Sequence, residues 1–419
     1  MKSNLGHLIL MSMLLGLLPA GENRLARADT IIVGNLYVAD YGLSVLDRYQ
    51  YSFDLTIGSI TSIMPNGIGG NTTNAYFLGG STLPVKEGLQ GTSNDIIVVV
   101  GPHGSTQTTL QRFAKDGTYI GTIPVDFSAY NGGNIGIGNV AITADGKYEY
   151  APLETANAIV KIDLANGHIV DSYSFTAAHD VALAANGDVY VADYSAAGAK
   201  VIRLSSDLVY IQDLVTSAPA AAGTFRPSGL AVAGDGSLYI QNNDNTAAGN
   251  DDILHYTLTN NSGTLTANYD SSKSYIGSST NSALQFTFGN NIGPDGNVYV
   301  AALGGGGSGS FNVQTGYIDG IYKFNIANGT VSQAIQGFTE KTGPAGSSSL
   351  VAPKYLQFDT NFVQAPDPGA EPEPATVILF LSGFAGLAVM KRGSYPKSLL
   401  YIAESLRSSS VRRHAAPPS

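Results

Sequence analysis

The chain has no cysteine and no tryptophan, and only 13% of its 419 residues are charged. Without cysteine there can be no disulfide, no thiolate metal site and no cysteine nucleophile. Basic residues are scarce as well, since residues 29–370 hold 13 Lys and Arg against 28 Asp and Glu, a formal charge of −15. Nucleic acids are bound through clustered Lys and Arg, so we expect no nucleic-acid partner.

Long apolar runs are also rare, and the first lies near the N-terminus. It covers residues 5–20, and a polar segment with the small-x-small pattern of Ala26 and Ala28 follows it. A short apolar run with these flanks is typical of a secretory signal peptide rather than of a membrane span. We expect residues 1–28 to be the signal peptide and Asp29 to begin the mature chain. A retained N-terminal anchor is the alternative.

The second apolar run lies near the C-terminus and belongs to a three-part pattern. Its parts are, in order, Pro372-Glu373-Pro374, the apolar residues 375–390 and the basic pair Lys391-Arg392. This layout, residues 372–392, resembles the PEP-CTERM sorting signal of Gram-negative bacteria, in which the membrane protease exosortase recognises the Pro-Glu-Pro motif. The resemblance implies an apolar transmembrane helix that the basic pair holds from the cytoplasmic side of the inner membrane. An ordinary C-terminal membrane anchor is the alternative.

Two further segments lie beside this pattern. Residues 364–371 read QAPDPGAE, a composition rich in proline and acid that predicts a linker. Residues 393–419 form a tail beyond the basic pair. PEP-CTERM proteins normally end a few residues after that pair, so the tail departs from the family pattern.

The body between these segments repeats one short motif, a tight Asp-Gly-like or Asn-Gly-like turn followed by an apolar strand. Its copies are Gly34–Asp40, Asn94–Val99, Asp145–Tyr150, Asn186–Asp193, Asp235–Ile240 and Asp295–Val300. If Tyr37, Ile97, Glu149, Tyr190, Tyr239 and Tyr299 are equivalent, successive copies lie 41 to 60 residues apart. Glycine permits the positive φ that such turns need, and units of this length suit four-stranded propeller blades.

These units resemble the NHL-repeat and related six-bladed β-propellers. The resemblance implies an all-β propeller over residues 29–363, with six blades and with seven as the alternative. In such folds the end of the chain completes the first blade. We therefore expect Tyr355–Val363 to supply the innermost strand, beside Leu36–Ala39.

Propellers bind ligands at the mouth of the central channel, where the innermost strands begin. By this logic the candidate ligand-binding residues are Asn139, His179, Asp180, Ser228, Asn290 and Asn291. A resemblance to lactonase-like and streptogramin-lyase-like propellers implies a divalent cation such as Ca²⁺ on Asn139, Asp180 and Asn290, with His179 and Asp180 as catalytic candidates. The alternative is that these side chains only cap strand ends. Those families also use glutamates, and none stands at the start of an innermost strand here.

Two functions remain open. The first is an exported cell-surface or extracellular-matrix protein, sorted by exosortase, that binds exopolysaccharide or surface proteins. It follows from the sorting signal, the propeller repeats and the lack of a complete catalytic set. The second is a metal-dependent hydrolase or lyase. The sequence favours the first, a binding protein rather than an enzyme, and a divalent cation such as Ca²⁺ is the one cofactor that it suggests.

Overall fold

The computed structural model describes most of the body of the chain. The described residues are 31–40, 45–54, 57–71, 77–82, 96–100, 109–114, 119–133, 135–195, 198–243, 251–277, 284, 287–302, 320–336 and 353–358. The predicted signal peptide, linker, sorting signal and tail lie outside these residues, so their residues 1–28 and 364–419 stay predictions. Within the described residues no helix is long and apolar enough to cross a membrane.

Within the described residues, twenty-four strands form six separate four-stranded antiparallel sheets. Blade 1 contains β1 (Ile31–Asp40), β2 (Val45–Asp54), β3 (Ser59–Asn71) and β24 (Pro353–Phe358). Blade 2 contains β4 (Phe77–Thr82), β5 (Ile96–Val100), β6 (Thr109–Phe113) and β7 (Tyr119–Ile123). Blade 3 contains β8 (Ala141–Ile142), β9 (Tyr148–Leu153), β10 (Ala158–Asp163) and β11 (Ile169–Ser174).

The other three blades follow in chain order. Blade 4 contains β12 (Ala178–Leu183), β13 (Val189–Asp193), β14 (Val201–Leu204) and β15 (Tyr210–Val215). Blade 5 contains β16 (Pro227–Val232), β17 (Leu238–Asn242), β18 (Asp252–Asn261) and β19 (Thr264–Tyr269). Blade 6 contains β20 (Thr287–Ile292), β21 (Val298–Ala302), β22 (Gly320–Asn325) and β23 (Thr330–Gln336). The predicted all-β propeller with six blades is confirmed.

The ring closes by joining the two ends of the body in blade 1. Strand β24 pairs antiparallel with β1, with Leu36 opposite Phe358 and Tyr37 opposite Gln357. Each of the innermost strands β4, β8, β12, β16, β20 and β24 contacts the next one around the axis. The predicted closure is therefore confirmed, with its innermost strand ending at Phe358.

In each blade the strands are counted outward from the axis, so the innermost strand is the first and its neighbour is the second. The turns between first and second strands explain the recurring Asp-Gly and Asn-Gly pairs. Gly187 and Gly236 have φ angles of 87° and 83°, in the left-handed region that favours glycine. The residue before each glycine accepts a backbone hydrogen bond through its side chain, as Asp235 Oδ1 does from the Ser237 N–H at 2.9 Å. Such side-chain-stabilised turns fix the register of the strands that follow.

Blade 3 corrects the repeat alignment by one residue. Its turn runs from Thr143 to Tyr148, whereas the turn of blade 4 runs from Ala184 to Asp188, one residue shorter. Tyr150 therefore faces Ala141, as Tyr190 faces Ala182 in blade 4. Taking Glu149 as the equivalent of Tyr190 was wrong, because a slip of one residue moves a strand's side chains to the opposite face.

The core fills the spaces between neighbouring blades. Buried tyrosines recur on the second strands, where Tyr37, Tyr150, Tyr190, Tyr239 and Tyr299 are at most 3% exposed. They alternate with aliphatic residues such as Val189, Leu238 and Val298, which are fully buried on the other face. Both faces of these strands are thus covered, so the strands read as nearly continuous apolar runs.

Candidate functional site

A cavity of about 320 Å³ lies at the centre of the ring of innermost strands. Aliphatic residues of β8, β12, β16 and β20 line it, together with four neutral amide side chains, those of Asn139, Asn290, Asn291 and Gln357. None of the described residues that line it is aromatic or charged. This lining suits an uncharged ligand that can both donate and accept hydrogen bonds.

A buried polar layer lies where the innermost strands enter the ring. Its members come from four successive blades and are all at most 8% exposed: Asn139, Asp180, Gln241 and Asn290. Asn139 Oδ1, both carboxyl oxygens of Asp180, and the oxygen and nitrogen of the Gln241 and Asn290 amides have no hydrogen-bond partner among the described residues. Unpartnered buried polar atoms are rare and costly, so this layer is a candidate for ligand or ion binding.

Gly229 makes room for this layer. Gly229 faces Gln241 in blade 5 as Asp180 faces Ala192 in blade 4, so the two residues occupy equivalent positions. A Cβ atom at Gly229 would stand 2.9 Å from Gln241 Oε1 and 3.2 Å from Asn290 Oδ1. Any larger residue would therefore push these two amides aside.

Burial raises the pKa of Asp180 well above its usual value. The backbone N–H groups of Val181 and Leu230 and the side chain of Asn139 lower it and offset part of that effect. These neighbours are close but not aligned for ordinary hydrogen bonds, because neither carboxyl oxygen has a partner of normal geometry. The surroundings favour the neutral, protonated carboxyl.

His179 connects blades 4 and 5. Its side chain is 2% exposed, and Nδ1 lies 3.0 Å from the carbonyl oxygen of Ser228. A carbonyl can only accept, so Nδ1 carries the proton in this contact. The catalytic role predicted for His179 stays a prediction, with Nδ1 already engaged.

Further hydrogen bonds join the neighbouring blades around the axis. The Asn139 N–H donates to the His179 carbonyl at 3.2 Å. The Ser228 hydroxyl donates to the Thr287 carbonyl at 3.1 Å. Blades 3 to 6 are thus joined by hydrogen bonds around the axis. Gly138 allows this close approach, because a Cβ atom there would stand 1.6 Å from the His179 carbonyl oxygen.

Aromatic rings gather at the end of the channel where the innermost strands begin. The ring of His179 lies 4.7 Å from that of Tyr194 and 5.9 Å from that of Phe288. The latter contact crosses from blade 4 to blade 6, past the small Ser228 of blade 5. The guanidinium of Arg226 lies over the ring of Tyr194, 4.4 Å from the centre of that ring. The cavity lies on the opposite side of the polar layer.

The residues predicted to hold a cation meet in this region. Asn139 lies beside Asp180, and Asn290 reaches the same layer from blade 6. Their oxygens are of the type that Ca²⁺ prefers, so the donor set fits a hard cation in kind. Asp180 contributes the one carboxyl group of this donor set, and the described residues include no group of three His, Asp or Glu placed to hold a metal.

The burial of three acidic residues, Asp251, Asp252 and Glu149, was not predicted from the sequence. Asp251 accepts hydrogen bonds from the N–H and hydroxyl of Thr287, both at 2.6 Å, and Asp252 accepts one from Asn242 at 2.9 Å. These two aspartates are therefore structural, although their sequence is typical of a solvated loop. Glu149 is fully buried in the core, with neither carboxyl oxygen partnered among the described residues.

Comparisons with known proteins assign this chain to no family. No family model and no curated protein matches the chain. Solved structures similar to it include the periplasmic gluconolactonase of Pseudomonas aeruginosa, with 15% identity, a TM-score of 0.46, and coverage of 80% of this chain and 100% of that one. A nidogen–laminin complex shares 11% identity at a TM-score of 0.47, covering 78% and 98% of the two chains. A gluconolactonase of Xanthomonas campestris shares 15% at 0.36, covering 56% and 70%. Likenesses this distant carry no information on activity.

Proposed function

We propose that this protein is an exported cell-surface or extracellular-matrix binding protein whose central cavity holds an uncharged, hydroxyl-rich ligand such as part of an exopolysaccharide. The observation that carries the proposal is the cavity of about 320 Å³ with four amide side chains and an otherwise aliphatic lining. Amides donate and accept at once, as sugar hydroxyls do, and they do so without charge.

The unpartnered atoms of Asn290 support a binding role. This residue lines the cavity and is 1% exposed, yet neither its oxygen nor its nitrogen has a hydrogen-bond partner among the described residues. Leaving both atoms unpaired costs stability. A ligand that pairs with them recovers that loss, so the cost is understandable at a binding site and not at a purely structural one.

Export and sorting are part of the same proposal and rest on the sequence. The leader pattern before Asp29, the Pro372-Glu373-Pro374 motif and the Lys391-Arg392 pair support passage through the inner membrane and processing by exosortase. Replacing Glu373 with Ala is expected to leave the protein in the cell membrane fraction. Its appearance at the surface in the same amount as the wild type would contradict the sorting proposal.

Binding is tested by retention of the purified protein on matrix polysaccharide from the producing cells. We expect Asn290→Ala to weaken retention about tenfold, the size of one or two lost hydrogen bonds, without lowering the melting temperature. Asn268→Ala, which changes an exposed amide on the outer strand β19, is the matched control. Equal retention of both variants and the wild type would remove the cavity from the proposal.

A metal-dependent hydrolase or lyase is the second candidate. It is favoured by one observation, the buried Asp180 with two unpartnered oxygens beside Asn139. These residues and Asn290 would hold the cation, which would polarise a carbonyl or phosphoryl group of the substrate. Metal analysis of the purified protein decides the matter. A stoichiometric divalent ion that is lost in Asp180→Ala would favour the enzyme, and chelator-insensitive, metal-free protein would exclude it.

A further inference from the structure

Arg226 differs from four other cations that the structure describes. These four pair with carboxylates: Lys161 with Asp207, Lys200 with Asp213, Arg203 with Asp188 and Lys323 with Asp295. The guanidinium of Arg226 forms no ion pair with a described residue, and its Nε atom is shielded from solvent without a hydrogen-bond partner. An unpaired guanidinium is notable in a body that carries a formal charge of −15 over residues 29–370.

The surrounding residues hold Arg226 in one place. Its backbone N–H donates to Asn242 Oδ1 at 2.7 Å, and its carbonyl accepts from the Asn243 N–H at 3.0 Å. Its guanidinium lies over the ring of Tyr194, which in turn packs on the buried His179. The charge is therefore positioned before any ligand arrives, which lowers the entropy cost of binding.

Two carboxyl groups lie near this charge without forming an ion pair with it. Burial raises the pKa of Tyr194 to about 12, Arg226 lowers it, and Asp251 and Glu154 raise it further, so all three side chains lie near that ring. Asp251 is engaged by Thr287, and neither carboxyl forms an ion pair with the guanidinium. Their presence restricts the site to a single, well-directed anionic group, because a second negative charge would meet repulsion.

We propose that Arg226 binds the carboxylate of an acidic sugar at the end of the channel opposite the cavity. A planar guanidinium matches a carboxylate with two parallel hydrogen bonds. Arg226, Tyr194 and Phe288 are all partly exposed, so a ligand can reach the charge and the ring edges together. Those rings offer apolar surface for the C–H groups of a sugar. This inference rests on the proposed function for the polymer and adds the acidic sugar as its second point of attachment.

The test is calorimetric binding of trigalacturonate, whose carboxylates stand on separate sugar rings so that one at a time can reach Arg226, and of its methyl ester, in which methyl groups remove those charges. We expect the full-length wild-type protein to bind the acid at least tenfold more tightly than the ester at low salt. Arg226→Gln should remove that preference, since one charge-assisted interaction is worth about tenfold or more. Lys200→Gln is the control and should retain the preference, because it removes a partly exposed charge that is already paired with Asp213 in blade 4.

Two further variants separate binding from folding. Tyr194→Phe keeps the ring beneath the guanidinium and should keep the preference, whereas Tyr194→Leu should weaken it by a smaller factor than Arg226→Gln does. Melting temperatures confirm that each variant is folded. An unchanged preference for the acid in folded Arg226→Gln would overturn the proposal, as would equal binding of acid and ester by the wild type.

Competing anions identify the source of the carboxylate. We expect inorganic phosphate and a hexaglutamate peptide to compete at least tenfold more weakly than trigalacturonate. Stronger competition by phosphate would make this a general anion site, and stronger competition by the peptide would assign it to an acidic protein; either result overturns the assignment to a sugar. Retention on matrix polysaccharide without any Arg226-dependent acid preference would leave the proposed function standing and remove this inference alone.

Discussion

Two fully buried carboxyl groups occupy contrasting regions of the propeller. Glu149 lies in the apolar core of blade 3, and its pKa is raised to about 8 by burial alone. Asp180 lies in the polar layer at the axis, where burial also raises its pKa but backbone N–H groups and Asn139 offset part of that effect. The axis therefore has polar groups placed around its carboxyl, and the core has none. This difference points to the axis as the functional region.

The largest expected effect comes from removing the core carboxyl. The pKa of Glu149 is 4.5 in the unfolded chain and about 8 in the folded protein. At a pH between these two values, the folded protein holds a proton that the unfolded chain has released. Stability from this group is therefore highest below pH 4.5 and falls until pH 8, by roughly 5 kcal/mol in total. We expect Glu149→Leu to gain about 3 kcal/mol at pH 7 and to lose this part of the pH dependence, as measured by urea unfolding at several pH values.

The equivalent position in blade 4 offers the matched test. Val189 is fully buried at the register position that Glu149 occupies in blade 3. Val189→Glu is expected to destabilise the protein and to introduce the same fall in stability with rising pH. If Glu149→Leu leaves the pH dependence of the free energy of unfolding as it is in the wild type, the carboxyl has a partner that neutralises it, and the contrast with the axis disappears.

Close packing at the axis gives the next largest effect. We expect Gly138→Ala to cost several kcal/mol, because the new Cβ atom meets the backbone carbonyl of His179, which cannot rotate away. Gly229→Ala should cost less, about 1–3 kcal/mol, since side-chain amides can shift. Gly234→Ala, with nothing within 4 Å, is the control. Denaturant unfolding measures all three, and an equal cost for all three would contradict the tight axial layer.

Replacing the axial carboxyl with its neutral isostere is expected to have an effect that depends on pH. Because burial raises the pKa of Asp180, the wild type takes up a proton on folding at neutral pH, so Asp180→Asn, which needs none, should match the wild type at acid pH and be more stable at pH 7. The wild type should lose stability as pH rises above the ordinary range of the group, and the variant should not. A loss of several kcal/mol in Asp180→Asn at pH 7 would instead show that the carboxyl is ionised and held by a cation.

Much of the fold could be predicted because its local signals repeat. Turn glycines, apolar second strands and the strand at Tyr355 predicted the closure and six blades, with seven as the alternative. The slip at Glu149 arose because blade 3 has one more turn residue than blade 4, and turn length is not visible in a strand's own pattern.

The candidate site was predicted less completely. Asn139, Asp180 and Asn290 stand at strand starts, where polar residues are conspicuous. Gln241 and Arg226 reach the axis from a second strand and a connecting segment, so their role depends on packing between blades. The Gln241 side chain does carry one signal, since it interrupts a strand that is apolar in the other blades.

Binding of a matrix ligand in the axial cavity is tested most directly by a crystal structure of the protein with oligosaccharides released from the matrix of the producing cells. We predict electron density for a sugar in the cavity, with hydroxyl groups hydrogen-bonded to Asn290 and Asn139. Sugar density confined to the outer strands, with the Asn290 amide still unpartnered, would contradict the account.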